Sequence, residues 1–237
     1  MNTPIKLIRW AKRTLLRIGT HNVLPASKLT KLGYTSYLSE WIRNNRPAFT
    51  SFPFAGFDNS LRYNLYDHLI ATEKLDDAID YLEFGVAAGT SFKYWEGKIT
   101  SSSASFHGFD TFTGLPEDWG HFKKGDMSSK NEKPQMKGNR HHWYQGLFQV
   151  TLPQFLNEYS GERRKVVHLD ADLFSSTLYV LTSISPFLKS GDILMFDEFN
   201  VPMHEFKAFK VWVDSYYIEY EVLGEVNNYY QTAIKIK

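Results

Sequence analysis

Apolar residues fall into short runs separated by polar, glycine-punctuated segments. Tyr81-Leu82-Glu83-Phe84, Phe106 to Phe109, Val166 to Leu169 and Ile193 to Phe196 are such runs. Runs of this length bounded by turn signals read as buried strands. His141 to Phe148 reads as another. Between them apolar residues recur at helical spacing, for example at 65, 66, 69 and 70 within Asn64 to Thr72. Further helices are expected from near Thr90, from Thr151 as N-cap, from Thr177 to Leu188 before Ser190-Gly191, and from Glu205 to Tyr216. Ile218 to Leu223 and Tyr229 to Ile236 then read as strands around a turn at Gly224 to Asn228. Repeated β-α units closed by a hairpin predict an α/β fold. The expected architecture is Rossmann-like and doubly wound, a mostly parallel sheet of about seven strands with the last antiparallel.

The first 60 residues do not share this pattern. Residues 20–60 look irregular, with Pro25, Gly33, Pro47, Pro53 and Gly56, apart from a helical turn at Tyr37 to Ile42. They are taken as an N-terminal extension, partly helical and basic, ahead of a main domain at 61–237. Residues 1–39 hold Lys6, Arg9, Lys12, Arg13, Arg17, Lys28 and Lys31 and no Asp or Glu. Ile5, Ile8, Trp10, Leu15, Leu16 and Ile18 interleave with them. One reading is an interfacial helix, giving residues 1–19 a peripheral contact with an anionic membrane. The other is a helix packed on the domain, or on a second subunit of a homo-oligomer, with a solvated basic face. Charge interrupts the apolar stretch and no small-residue cleavage site follows, so a secretory signal is not expected.

Composition narrows the function classes. Lys+Arg 27 against Asp+Glu 26 gives a net charge of +1, which makes no overall electrostatic case for nucleic acid. The 237 residues contain no cysteine, which excludes disulfides and zinc-thiolate sites and fits a reducing compartment. No apolar run approaches the roughly 20 residues that span a bilayer. The expected location is cytoplasmic, with the inner face of the membrane as the alternative raised by the basic segment.

Chemistry concentrates between Lys165 and Asn200. The run 166–169 ends in Asp170 and Asp172, and the run 193–196 ends in Asp197 and Glu198. One helix between two apolar strands makes a βαβ unit, whose strands are parallel and neighbouring. Their carboxyl ends then share one edge of the sheet, where open α/β sheets bind ligands. Four carboxylates converging there repel one another unless a cation lies between them.

An earlier strand leads into Glu83-Phe84-Gly85-Val86-Ala87-Ala88-Gly89-Thr90-Ser91. The glycines permit a tight turn and close backbone approach to a ligand. Thr90 or Ser91 is placed to cap the following helix. The acidic-x-Gly-x-x-x-Gly spacing is neither the Gly-x-Gly-x-x-Gly of pyrophosphate binders nor a Walker loop. The acid before the first glycine suits an amine or a hydroxyl rather than a phosphate. Asp110 ends the next strand and is placed to meet a ribose diol. The long polar connection from Thr111 to Arg140 reads as a functional lid, with Trp119, His121 and Phe122 placed to cover a ligand. Trp119 and Trp143 are candidates to stack on a sugar face, although aromatics are more often core.

These motifs resemble the macrocin O-methyltransferase family. The resemblance rests on Glu-Phe-Gly-Val-Ala-Ala-Gly-Thr-Ser (83–91), Gly-Phe-Asp-Thr-Phe-Thr-Gly-Leu-Pro-Glu-Asp-Trp (108–119), Gln-Gly-Leu-Phe-Gln-Val-Thr-Leu-Pro (145–153), Leu-Asp-Ala-Asp-Leu-Phe-Ser-Ser-Thr (169–177) and Gly-Asp-Ile-Leu-Met-Phe-Asp-Glu-Phe (191–199). It implies a class I methyltransferase that transfers a methyl group from S-adenosylmethionine to a hydroxyl, often on a sugar. Glu83, Gly85 and Gly89 would hold the amino acid end of the cofactor, with Val86, Ala88, Thr90 and Ser91 in the same loop. Asp110, with Thr111 beside it, would take the ribose. Gln145, Gly146 and Leu147 would lie near the adenine. Asp170, Asp197 and Glu198 would hold Mg²⁺, with Asp170 also close to the cofactor, and Asp172 would be the general base. The family usually carries Asp-Asp where this chain has Asp197-Glu198, and Tyr where it has Phe174. Independently, a hard cation with oxygen ligands can orient a substrate hydroxyl and lower its pKa while a carboxylate takes the proton.

Two other classes compete. An Asp-x-Asp after a strand also serves metal-dependent glycosyltransferases, which need neither the acidic glycine loop nor the second acid pair. A non-catalytic binding module on a methyltransferase fold is the other.

Overall fold

The computed structural model describes residues 3–20 and 24–237, so residues 1–2 and 21–23 of the basic segment lie outside the described residues. Seven strands form one sheet: β1 (Ile79–Phe84), β2 (Ser105–Asp110), β3 (His141–Gln145), β4 (Arg164–Leu169), β5 (Ile193–Phe196), β6 (Tyr220–Val226) and β7 (Gln231–Ile236). Their order is β3-β2-β1-β4-β5-β7-β6. The first five are mutually parallel, and β7 is antiparallel to both its neighbours. This is the doubly wound, mostly parallel sheet that the pattern predicts. Strand order reverses between β1 and β4, so the crevice of the switch point opens between their carboxyl ends.

Side chains alternate along these strands and load two separate cores. Leu82, Phe84, Val167, Leu169, Leu194 and Phe196 face one side. They pack under α5 (Phe148–Glu158), α6 (Phe174–Ile184) and α7 (Glu205–Tyr216). Ile79, Tyr81, Phe106, Val166, Ile193 and Met195 face the other, under α3 (Leu61–Thr72) and α4 (Thr90–Lys98). Every residue of β1 and β5 is buried; β5 is a continuous apolar run, while β1 also buries the carboxylates of Asp80 and Glu83.

Two more helices precede these, α1 (Thr3–Arg17) and α2 (Ala26–Asn44). The expectation of irregular chain through 20–60 is corrected here: α2 runs 19 residues, and the turn at Tyr37 to Ile42 is its second half. That half docks. Trp41 lies 4.7 Å from Phe199 between ring centroids, with Phe209 and Tyr229 edge-on, and its Nε1 donates to Tyr220 Oη at 2.7 Å. Residues 50–52 are then held by buried Glu225, whose carboxylate accepts from Thr50 Oγ1 and from the Ser51 and Phe52 amides.

Several boundaries move for local reasons. Thr90 and Ser91 cap nothing: left-handed Gly89 is the N-cap of α4, with no side-chain cap bond. Thr151 is likewise not an N-cap, since α5 begins at Phe148 and Thr151 donates back to the Leu147 carbonyl. β3 stops at Gln145, and α6 starts at Phe174 rather than Thr177. Gly224 belongs to β6, at a bulge, while Asn227, Asn228 and Tyr229 make the left-handed turn. Among the described residues no helix is long and apolar enough to cross a membrane.

Candidate active site

The carboxyl ends of β1, β2 and β4 surround a cavity of about 500 Å³. Gly85, the first residue past β1, sets its floor. Gly85 has φ +98°, and a Cβ there would lie 1.7 Å from the Asp170 carbonyl oxygen. Only glycine lets the loop cross this close to β4. Gly89 has φ +74° and a Cβ would meet the Pro134 ring at 2.6 Å, so the lid closes against the same loop.

Asp110 clasps the loop from β2. Its Oδ2 accepts from the Val86 and Ala87 amides at 2.8 Å each, and its Oδ1 accepts from Phe112 at 2.6 Å. A carboxylate offers about four lone-pair sites, so capacity remains toward the cavity, which Asp110 lines. Gly85, Ala88, Thr111, Leu147 and Asp170 of the expected cofactor residues also line it. Glu83, Val86, Gly89, Thr90, Ser91, Gln145 and Gly146 do not. Glu83 is buried against the sheet, where Tyr81 Oη donates to it and His168 Nδ1 lies 3.6 Å away. Gln145 turns to Asn131 of the lid, and the Gly146 amide donates to the Asp110 carbonyl.

The acids divide differently from the expectation. Asp170, Asp172 and Glu198 each offer an oxygen within 4.8 Å of one another. Asp197 stands outside this group: its Oδ2 lies 3.3 Å from Arg62 Nη2, and Gln231 Nε2 approaches its Oδ1 at 3.3 Å. Asp197 and Glu198 lie in the bend just past β5, and of the two only Glu198 brings an oxygen into the group. Asp172 is aimed by its backbone. It has φ +57°, a left-handed conformation that aspartate tolerates better than most residues, just before α6 starts.

Burial raises the pKa of Asp170 well above the ordinary carboxylate range, and the charges of Asp197, Asp172 and Glu83 add to it. Burial raises Asp172 as well, opposed by its hydrogen bond with Glu198. Glu198 is driven far up by burial, by that hydrogen bond and by Asp170. Behind them Glu205, wholly buried in the first turn of α7, is raised by burial too, although it accepts from the Glu198 amide at 3.0 Å. Glu198 Oε2 and Glu205 Oε1 are buried with no hydrogen-bond partner among the described residues. An orphaned carboxylate oxygen beside two further carboxylates fits a bound cation. The donors are all oxygen, which suits Mg²⁺, Mn²⁺ or Ca²⁺.

The lid forms one wall through Gly114, Leu115, Pro116, Met127, Ser128 and Ser129. Leu115 and Asp126 are tied backbone to backbone at 2.9 Å, and Ser175 Oγ of α6 donates to Glu117 at 2.6 Å. Trp119, His121 and Phe122 do not line the cavity. Trp119 stacks on Phe122 instead, and Trp143 packs on Phe92 in the core. Arg62, Glu205, Tyr230 and the serines at 128–129 escaped the sequence reading. Tyr230 Oη donates to Glu198 at 3.2 Å.

No protein-family model matches the chain, and no curated protein matches it. Solved structures do. The calicheamicin methyltransferase CalS11 is similar over 90% of this chain and 93% of its own, at 19% identity and a TM-score of 0.59. Its apo structure, described as a TDP-rhamnose 3'-O-methyltransferase, gives 19% identity, 90% and 95% coverage and a TM-score of 0.55. The O-methyltransferase NovP gives 17% identity, 66% and 71% coverage and a TM-score of 0.50. At these identities the likeness establishes the fold, that of the class I methyltransferases.

Proposed function

We propose that the chain is an S-adenosylmethionine-dependent O-methyltransferase acting on a hydroxyl of a sugar or glycosylated compound, with Mg²⁺ assisting. One observation carries this reading: a glycine loop and three clustered carboxylates, Asp172 and Glu198 buried and Asp170 half-buried, open onto one cavity at the switch point of a class I methyltransferase sheet. The resemblance to the macrocin O-methyltransferases and the sugar-modifying neighbour support the sugar as acceptor.

Gly85, Ala88, Asp110, Thr111 and Leu147 would hold the cofactor, with Asp110 spending its remaining acceptor capacity on the ribose. Asp170 and Glu198 would hold the cation, with Asp172 completing the group. When bound, the cation would orient neighbouring substrate oxygens and lower the pKa of the reacting hydroxyl. Asp172 lines the cavity beside the proposed cation ligands and would accept that proton. Arg62 holds Asp197 off the cation group and balances part of the local negative charge. Fixed positioning of the hydroxyl would supply much of the rate.

Calorimetric titration with S-adenosylhomocysteine tests the reading. Saturable binding that weakens at least about tenfold in Asp110→Ala, as loss of charge-assisted hydrogen bonds predicts, supports it. No binding leaves the metal-dependent glycosyltransferase or the non-catalytic module.

A further inference from the structure

We propose that α1 is a docking surface for an anionic lipid membrane. Apolar residues within 3–18 are unusually bare: Leu7 is 63% exposed, Ile8 67%, Trp10 62%, Leu15 52% and Ile18 66%. At 100° per residue, Leu7, Ile8, Trp10, Ala11, Leu15 and Ile18 fall on one side of the helix. Lys6, Arg9, Lys12, Arg13 and Arg17 fall on the other, and all five are exposed. Ile5 and Leu16 are the apolar exceptions on the basic side. An apolar stripe opposite a mostly cationic one, with no acid on either, is the pattern of a helix lying in a membrane interface.

Charge selects the occupant. Residues 1–39 contain no acid, so a second copy of this segment would meet its own positive charge. Docking on the domain is also not what the helix does, since its large side chains stay exposed. A surface of anionic headgroups complements both sides at once: it accepts the stripe below and the cations around it. The 15-residue helix is about 22 Å long at 1.5 Å per residue, too short to span a bilayer and long enough to lie on one. Trp10 is placed on the apolar side, where an indole settles at the headgroup level. The surface does not depend on which reaction the cavity performs.

Co-sedimentation of the full chain tests it, using vesicles of phosphatidylcholine mixed with phosphatidylglycerol against vesicles of phosphatidylcholine alone. The expected result is binding to the mixed vesicles that weakens at least about tenfold without the anionic lipid. Arg9→Glu with Arg13→Glu should weaken it similarly, as should Leu7→Gln with Leu15→Gln, with thermal unfolding of both variants unchanged because the replaced side chains are exposed. Equal binding to both vesicle types, no binding, or unchanged binding by the variants overturns the proposal. So does a dimer in light scattering that the Leu7→Gln, Leu15→Gln variant converts to monomer.

Discussion

The two edges of the sheet carry buried charge in opposite ways. At the amino edge most buried charges have close partners, although Glu96 Oε1 has only His141 Nδ1 at 3.6 Å. Lys165 Nζ lies 3.1 Å from Asp192, both about 2% exposed, and it donates as well to the Gly161 and Arg163 carbonyls. Asp192 also accepts from the Lys165 and Lys189 amides at 2.8 Å each. Asp80 is met by Tyr159 and Arg163, and Glu73 by Arg164 and Lys235. At the carboxyl edge Asp170, Asp172, Glu198 and Glu205 crowd together, and Arg62 faces Asp197 instead. Satisfied charges hold a fold in register. Unsatisfied ones weaken it and persist where a ligand supplies what is missing.

The largest effect should come from emptying the carboxyl edge. Asp170→Ala should lower methyl transfer at least about a thousandfold, while thermal stability stays level or rises because a repelled carboxylate is gone. Turnover beside a melting curve checks this, and a variant that melts far lower with normal specific activity would give the group a structural role. Asp172→Asn separates base from ligand: it keeps an oxygen but cannot take a proton, so kcat should fall by about 10²–10⁴ with Mg²⁺ affinity nearly kept. The amino edge should answer in stability instead. Asp192→Ala leaves Lys165 buried and unpaired and should cost about 3–5 kcal/mol in denaturant unfolding. A loss under about 1 kcal/mol would mean that the buried pair is not what distinguishes this edge.

The edges should also differ with pH. Asp170, Asp172, Glu198 and Glu205 have pKa values raised in the folded state. The folded chain therefore binds more protons than the unfolded one above the ordinary carboxylate pKa of about 4, and stability falls as pH rises from there. Metal-free protein should lose Tm from mildly acidic to neutral pH. Mg²⁺ should restore more of it at the higher pH, and a metal-free Tm that rises across this range would reverse the sign. The smallest effect belongs to an exposed pair at the amino edge. Lys189 and Glu162 are 3.1 Å apart with side chains 51% and 77% exposed, so Lys189→Ala should change stability by no more than about 0.5 kcal/mol.

Much of this contrast was legible in the sequence. β4 and β5 announce themselves as apolar runs, and the helix between them fixes their carboxyl ends as neighbours. This order of elements alone places four acids in one crevice. Their division was not legible, because Asp197 and Glu198 are adjacent and only side-chain direction separates them. Arg62 arrives from α3, and nothing in its local pattern connects it to Asp197. Glu205 looks like an ordinary acid in the first turn of a helix, and packing alone buries it. α2 escapes the pattern because only its second half carries a docking face, while its first half shows solvent a mixed sequence with Gly33 and exposed Leu29 and Leu32.

Calorimetric titration of the metal-free chain with Mg²⁺, in the presence of S-adenosylhomocysteine, tests the reading of the carboxyl edge most directly. Wild type should bind at a single site, and both Asp170→Ala and Glu198→Ala, which remove the ligand oxygens, should lose that binding while Asp192→Asn keeps it. No heat in the wild type, or the same isotherm in all four proteins, would contradict the cation site.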